Sequence, residues 1–276
     1  MKDLSASIVV YKNSLEILEK TIHSFLSGTH DSNLYIVDNS PTDRLRTLVK
    51  DPRIIYRFNN RNLGFGARHN TILREILNKT KYHIILNPGV YFDERIIQDL
   101  YRFMSRRSEI GQVMPKVLYP DGRLQRLCNL LLTPQTLIKR RFFNFYKSSL
   151  EKENYRHELR FYEYDKIMDV PFLWGCFMFL RTEALKKVGL FDEQFFLYTE
   201  DAELSRRIHE HYRTVYYPQV TIYRYPQRRS YRDLWLMWCN IKSAIRYFNK
   251  WGGVNDSVRE FFNQRTIEQL AKTRMA

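Results

Sequence analysis

Apolar residues in this chain come in two rhythms. Residues 6–11, 33–37, 54–58 and 82–86 are short, β-branched or aromatic runs bounded by polar turns, the pattern of buried strands. Between them apolar residues recur at three- and four-residue spacing. Leu15, Leu18, Ile22, Phe25 and Leu26 mark one helix, with Ser14 as a cap, and a second follows the polar stretch 59–70 and runs to about Leu77. Strand and helix alternating in this way predict an α/β fold whose mostly parallel central sheet is flanked by helices on both faces. Ligands of such sheets bind beyond the carboxyl ends of the strands. Here those ends fall at Tyr11, Asp38, Asn59 to Asn62, and Asn87 to Gly89.

Beyond Gly111 the rhythm changes. A strand is predicted over 112–119, with 120–123 as a turn. Residues 124–167 mix Arg, Phe and Tyr without clean periodicity and read as a mobile insertion over the site. The core resumes over 170–180, followed by short helices over 182–187 and 199–211 and late strands over 214–217 and 220–225. Thr199 is placed to cap the second helix, which makes Glu200 and Asp201 first-turn carboxylates that complement the helix dipole. A helix over 230–251 gathers Leu234, Met237, Trp238, Ile241, Ile245 and Phe248 on one face, and a last helix covers 257–271. The chain divides into one large domain over 1–225, with halves 1–110 and 111–225, and a C-terminal helical extension over 226–276.

Composition narrows the classes. At 276 residues, with 44% hydrophobic and 15% aromatic content, the chain folds around a sizeable core. A net charge of +15 favours an anionic partner: a phosphate-bearing substrate, an acidic membrane or nucleic acid. No nucleic-acid-binding motif accompanies the charge, so nucleic acid is set aside. Cys128, Cys176 and Cys239 lack metal-ligand spacing and read as reduced thiols of a cytoplasmic protein. No apolar run is long enough for a signal peptide or a membrane span. The basic load, with Trp235, Trp238 and Trp251, fits a protein peripheral to an anionic membrane on its cytoplasmic side. His69, His209 and His211 read as surface or partly buried residues, and Arg106, Arg107, Arg140, Arg141, Arg206 and Arg207 as solvated faces. Gly64 and Gly66 make only half of a dinucleotide fingerprint, which excludes a Rossmann cofactor site.

Several motifs in order carry a resemblance. Val9-Val10-Tyr11, Val37-Asp38-Asn39-Ser40, Asn62-Leu63-Gly64-Phe65-Gly66 with Asn70, Leu86-Asn87-Pro88, Gly175-Cys176-Phe177-Met178, and Gly189-Leu190-Phe191-Asp192 with Glu200-Asp201 together resemble family 2 glycosyltransferases. More narrowly they resemble the rhamnosyltransferase-like branch that builds bacterial surface polysaccharides. The resemblance spans residues from about 5 to 250. It implies a GT-A fold, with 1–110 as the nucleotide half and 111–225 as the acceptor half. It also implies transfer of a hexose or deoxyhexose, with inversion, from a dTDP- or UDP-sugar to a saccharide or lipid-linked acceptor in O-antigen or capsule assembly. Carried over by residue, Val10, Tyr11, Asp38, Asn62, Arg68, Asn70, Asn87, Gly89 and Arg224 face the donor, and Trp174 and Gly175 flank the acceptor. Asp201, or alternatively Glu200, is the general base. Trp174 also reads as core, and Asp38 as a turn cap.

Two positions depart from the family pattern. Gly89 stands where an acidic residue usually holds Mg²⁺ or Mn²⁺, and Arg224 stands where a histidine is usual. The exchange removes an oxygen ligand and adds a cation. Either Arg224, with Arg228 or Arg229, replaces the metal beside the diphosphate, or the chain is a catalytically silent nucleotide-sugar-binding or scaffold protein. Asp93, the remaining candidate for a displaced metal, is better explained as a helix cap.

Overall fold

A computed structural model describes residues 3–136, 147–226 and 234–275; Arg140, Arg141, Arg228 and Arg229 lie outside them. The first half is built as the alternation predicts. Strand β1 (Leu4–Val10) is followed by helix α1 (Leu15–Ser27), β2 (Asn33–Asp38), β3 (Ile54–Phe58), α2 (Gly66–Ile76) and β4 (Tyr82–Leu86). These four strands lie parallel in the order β3-β2-β1-β4. A short β5 (Val90–Tyr91) and α3 (Arg95–Ser105) lead into β6 (Ile110–Leu118).

The second half is mixed. Strand β7 (Cys128–Asn129) precedes α4 (Lys147–His157), β8 (Met168–Asp169), β9 (Phe172–Leu173) and β10 (Phe177–Arg181). Strand β10 enters the sheet antiparallel to both β4 and β6, which interrupts the parallel run of the N-terminal strands. Helices α5 (Thr182–Val188) and α6 (Glu200–His209) lead to β11 (Arg213–Arg224), which pairs parallel with β6 and antiparallel with β5. The sequence predicts two late strands here. There is one, with its register broken between Tyr217 and Thr221, where Pro218 supplies no amide hydrogen to the ladder. The chain ends with α7 (Leu234–Lys250) and α8 (Ser257–Met275).

Period-two alternation along β1 sorts its side chains between the two faces. Ala6, Ile8 and Val10 join the larger apolar cluster with α1 and α3. Ser5 and Ser7 point the other way, into a buried chain in which the Ser5 hydroxyl meets His83 Nδ1 at 2.8 Å, the Ser7 hydroxyl meets His83 Nε2 at 2.7 Å, and Ser7 also meets His69 Nδ1 at 2.7 Å. His69 is therefore a core residue, not a surface one. Burial pushes both imidazoles down, His83 to about 3. The aperiodic stretch after residue 124 also supplies core: Leu127, Cys128, Leu130, Leu131, Leu132, Leu159, Tyr162 and Tyr164 are buried.

The C-terminal helices are fastened to α6 by charge. Arg206 is 2% exposed and makes a bidentate pair with Asp256, at 2.5 and 2.8 Å, while its guanidinium lies 4.0 Å over the Trp251 ring. Glu203, fully buried, takes both Arg207, at 2.6 Å, and Lys250, at 2.8 Å. Arg206 and Arg207 are thus internal clamps rather than a solvated face, and Trp251 belongs to the clamp rather than to an outer surface. The residues that helix α7 buries set its rotation. Its buried positions are Ser243 and Tyr247, and Ser243 donates to the Leu197 carbonyl at 2.8 Å. Leu234, Trp238 and Ile245, three of the residues that the sequence gathers on one face, are 75%, 66% and 53% exposed. Breaking the clamp on one side leaves a buried charge unpaired, so Arg206→Met is expected to lower the free energy of unfolding in urea by about 3–5 kcal/mol. Arg206→Met with Asp256→Leu recovers most of that loss.

Candidate active site

The strand ends predicted to carry a ligand do converge. Asp38 closes β2 with no exposure, its Oδ1 accepting the Ser40 amide at 2.8 Å and its Oδ2 the Tyr56 hydroxyl at 2.6 Å. The turn reading is thus realised, and each carboxylate oxygen keeps a further lone pair. Val10 is buried, and its carbonyl accepts the Asn39 amide at 2.9 Å. Tyr11 beside it is 40% exposed, and the Lys12 amide donates to the Ser40 hydroxyl at 2.8 Å. Asn59 Nδ2 reaches Asn39 Oδ1 at 3.0 Å, and Asn62 Oδ1 accepts the Gly64 amide at 3.2 Å. Sequence reasoning passed over Asn39, Ser40, Tyr56 and Asn59, although three of them lie inside the polar turns it singled out.

Arg68 and Asn70, paired in the sequence reading, have different fates. Arg68 has a buried Nε with no hydrogen-bond partner. Asn70 is a staple: its Nδ2 donates to the Phe191 carbonyl at 2.8 Å and to Glu193 Oε1 at 2.9 Å, and its Oδ1 accepts the Phe191 amide at 3.1 Å. Both of its amide hydrogens are spent, which leaves it no donor for a phosphate.

The two departures from the family pattern are neighbours. Arg224 pairs in the sheet with Val90, and the Tyr225 amide donates to the Gly89 carbonyl at 3.0 Å. Gln125, missed from sequence, sets the arginine: its amide donates to the Arg224 carbonyl at 2.8 Å, and its oxygen accepts from an Arg224 guanidinium nitrogen at 3.1 Å. Arg224 Nε is buried without a partner. The Asn87 amide donates to the Cys176 carbonyl at 2.9 Å, which ties this turn to the segment carrying Gly175. These residues do not fit a divalent metal. Gly89 offers no side-chain ligand, a guanidinium stands beside it, and the described residues contain no group of three His, Cys, Asp or Glu side chains able to hold an ion.

Glu200 and Asp201 open α6 after an unusual approach. Tyr198 and Thr199 both adopt left-handed backbone, with φ of 70° and 62°, a strain that non-glycine residues hold only where the surroundings enforce it. Thr199 stands at the N-cap position, but its buried Oγ1 has no partner, so its side chain does not cap. Asp201 Oδ2 accepts the Gly175 amide at 2.8 Å, and Oδ1 accepts the Ala202 amide at 2.9 Å. A Cβ on residue 175 would lie 2.9 Å from Asp201 Cβ, so glycine is what lets the carboxylate dock there. Trp174, half-buried, donates its indole N–H to Asn129 Oδ1 and packs against the core. The core reading of Trp174 is therefore met.

Burial raises the Asp201 pKa, while the amides of Gly175 and Ala202, and then Arg224, pull it back. Burial first, and the Asp201 charge second, hold Glu200 well above its ordinary 4.5, with Oε2 unpartnered. A carboxyl raised in the folded state contributes its full stability below the unfolded value and loses it as pH rises from that value through the raised folded one. Glu200→Gln is expected to make the protein more stable at pH 7 and no more stable at pH 4, as measured by urea unfolding at each pH.

Comparison with known proteins places the chain in a family. The family model for glycosyl transferase family 2 matches residues 7–189, and that for glycosyl transferase family group 2 matches residues 126–275. The chain is 25% identical over 209 residues to the low-salt glycan biosynthesis hexosyltransferase Agl10 of Haloferax volcanii, covering 75% of this chain and 62% of that protein. It is 22% identical over 252 residues to the N-acetylglucosaminyl-diphospho-decaprenol L-rhamnosyltransferase of Mycobacterium tuberculosis, covering 84% of this chain and 80% of that one. Among solved structures it resembles GalNAc-T7 with UDP, GalNAc and Mn²⁺ (TM-score 0.64, 14% identity, 91% of this chain and 48% of that one). It also resembles the mannosyltransferase PcManGT of Pyrobaculum calidifontis with GDP-Man and Mn²⁺ (TM-score 0.56, 16% identity, 83% and 58%). With a GT-A fold and a family model covering more than half of its length, the chain belongs to glycosyl transferase family 2.

Proposed function

We propose that the protein is an inverting glycosyltransferase that moves a rhamnose-like hexose or deoxyhexose from a dTDP- or UDP-sugar to a saccharide. The acceptor is carried on a lipid at an anionic membrane surface, in assembly of a surface polysaccharide of the O-antigen or capsule kind. The observation that carries the reading is the carboxylate of Asp201, held by the Gly175 and Ala202 amides with Arg224 acting on it electrostatically. The Mycobacterium tuberculosis relative, a lipid-linked-acceptor rhamnosyltransferase by name, supports the donor and acceptor classes.

The chemistry follows from these groups. An acceptor hydroxyl is a weak nucleophile, and Asp201 takes its proton as its oxygen bonds to the anomeric carbon. The bond from that carbon to the diphosphate breaks on the opposite face, and the electron pair leaves with the diphosphate. Because that leaving group needs no proton, a single base suffices, unlike glycoside hydrolysis with its two carboxyl groups. Arg224, with Arg68 flanking the ribose and phosphates, meets the developing negative charge. Asp38 accepts from the base edge, and Tyr11 lies against the base. Trp174 and Gly175 form the acceptor wall. Burial that raises the Asp201 pKa brings the base nearer to neutrality, where proton transfer is most effective.

Asp201→Asn tests the assignment. It keeps shape and removes the proton acceptor, so transfer is expected to fall by about 10²–10⁴ while nucleotide binding is retained. In the wild type, activity should fall at acid pH through a midpoint above the ordinary 3.8 of an aspartate. Transfer that survives nearly intact in Asp201→Asn would remove Asp201 as the base. No transfer by the wild type, with nucleotide binding intact, would favour a silent nucleotide-sugar-binding protein.

A further inference from the structure

Helix α7 wears its apolar stripe on the outside. Leu234 and Trp238 are 75% and 66% exposed, Ile245 is 53% exposed, and Trp235 is 52% exposed. Lys242 stands exposed between Trp238 and Ile245 on that same face. The inner side is held by Tyr247, buried in an apolar cluster with Phe195, Ala202 and Phe262, and by polar contacts through Ser243 to the Leu197 carbonyl and through Lys250 to Asp192 and Glu203. A helix already anchored on its inner side that still turns Leu, Trp, Trp and Ile to solvent leaves a face that stays costly in water until something covers it.

We infer that this face of α7 is a membrane-docking surface that lies in the interfacial region of a bilayer containing anionic lipid. This deepens the reading of a lipid-linked acceptor and rests on it. Four features select a bilayer. Indole rings combine a large apolar body with a polar N–H and settle at the boundary between acyl chains and headgroups. A lysine in the middle of an apolar face can lay its stem on the surface and lift its ammonium to the phosphates. From Leu234 to Ile245 the face runs roughly 17 Å at 1.5 Å per residue, long enough to lie in the interface and too short to span it, and no described helix is long and apolar enough to cross a membrane. A second copy of this chain, the alternative occupant, would bring +15 against +15, whereas an anionic surface gains from that charge.

The position of the face is as telling as its chemistry. The Trp235 ring meets Phe196 edge to face at 5.1 Å. The Phe196 carbonyl accepts the Phe65 amide at 3.0 Å, in the loop that opens α2 at the carboxyl edge of the sheet. The docking face therefore begins beside the mouth of the site. A sugar carried on a membrane lipid would enter from the surface on which α7 rests, so docking confines the acceptor to the plane where Asp201 works. A second exposed apolar group, Val254, Val258 and Phe261, marks the α7–α8 turn and the start of α8.

The test is co-sedimentation of the full chain with vesicles of phosphatidylcholine alone and with about a third phosphatidylglycerol, at low and high salt. It is run for wild type, Trp238→Glu and Leu234→Glu, each first shown to unfold at the wild-type temperature and to bind dTDP or UDP like the wild type. The expected result is binding to the anionic vesicles that falls with salt and drops at least tenfold in each variant, with Trp238→Phe close to wild type. Blue-shifted tryptophan fluorescence on binding, lost in Trp238→Glu, is expected alongside. Wild-type-like binding by both glutamate variants would overturn the proposal. So would absence of vesicle binding together with self-association that either variant abolishes, which would make the face a contact between copies. Nucleotide binding is read separately, so failure of the membrane proposal is distinguishable from failure of the glycosyltransferase reading.

Discussion

The placement of α6 is the constraint on which the rest of the molecule depends. Its first turn carries Glu200 and Asp201, its middle carries Glu203, Arg206 and Arg207, and all of these are wholly or largely withdrawn from water. Three of these side chains are met by three different parts of the fold. The backbone before β10 meets Asp201, Lys250 of α7 meets Glu203, and Asp256 at the start of α8 meets Arg206. A helix held by charge from three directions cannot slide or roll without stranding one of them, and an unpaired buried charge costs several kcal/mol. The C-terminal extension is therefore part of what positions the Asp201 carboxylate, and the strained backbone at Tyr198 and Thr199 is held between these contacts.

The second organising feature is an exchange of charge. Where the family pattern holds a metal through an acid, this chain has Gly89, and the strand beside it ends in Arg224. A glycine that ligates nothing and an arginine whose Nε is buried without a partner make a coherent pair if the arginine faces an anion. Gln125 supports that role by fixing the arginine through its carbonyl and its guanidinium together, which spares it part of the entropy of ordering a long side chain when a ligand arrives.

Much of the fold was legible because burial on both faces leaves a parallel strand no choice but a continuous apolar run. Tyr82–Leu86, buried throughout, is found where the pattern places it, and so is Ile54–Phe58 at the edge of the sheet, where only Ile54 is buried. The misreadings have physical causes. Two late strands merge into β11 because a bulge at Pro218 interrupts the ladder without ending it. Periodicity groups the apolar face of helix α7 without saying which way it points; Tyr247, Ser243 and Lys250 fix its rotation. Arg206 and Arg207 look like any exposed basic pair until Asp256 and Glu203 are brought to them. At the site, the strand-end turns announced Asp38 and the Asn87–Gly89 corner. Asn70 was assigned to the donor on its motif, yet it staples α2 to the Phe191–Glu193 loop. Gln125 lay in a stretch with no periodic signal and could only be found in three dimensions.

In the proposed reaction Arg224 meets beside the diphosphate the charge that a metal ion meets in the family pattern. The most direct test is calorimetric titration of dTDP and UDP into wild type and Arg224→Ala, each in EDTA and in Mn²⁺. The account predicts binding that persists in EDTA and weakens by roughly tenfold or more when Arg224 is removed, as expected for loss of a charged hydrogen bond. Binding that requires Mn²⁺ and ignores Arg224→Ala would contradict it.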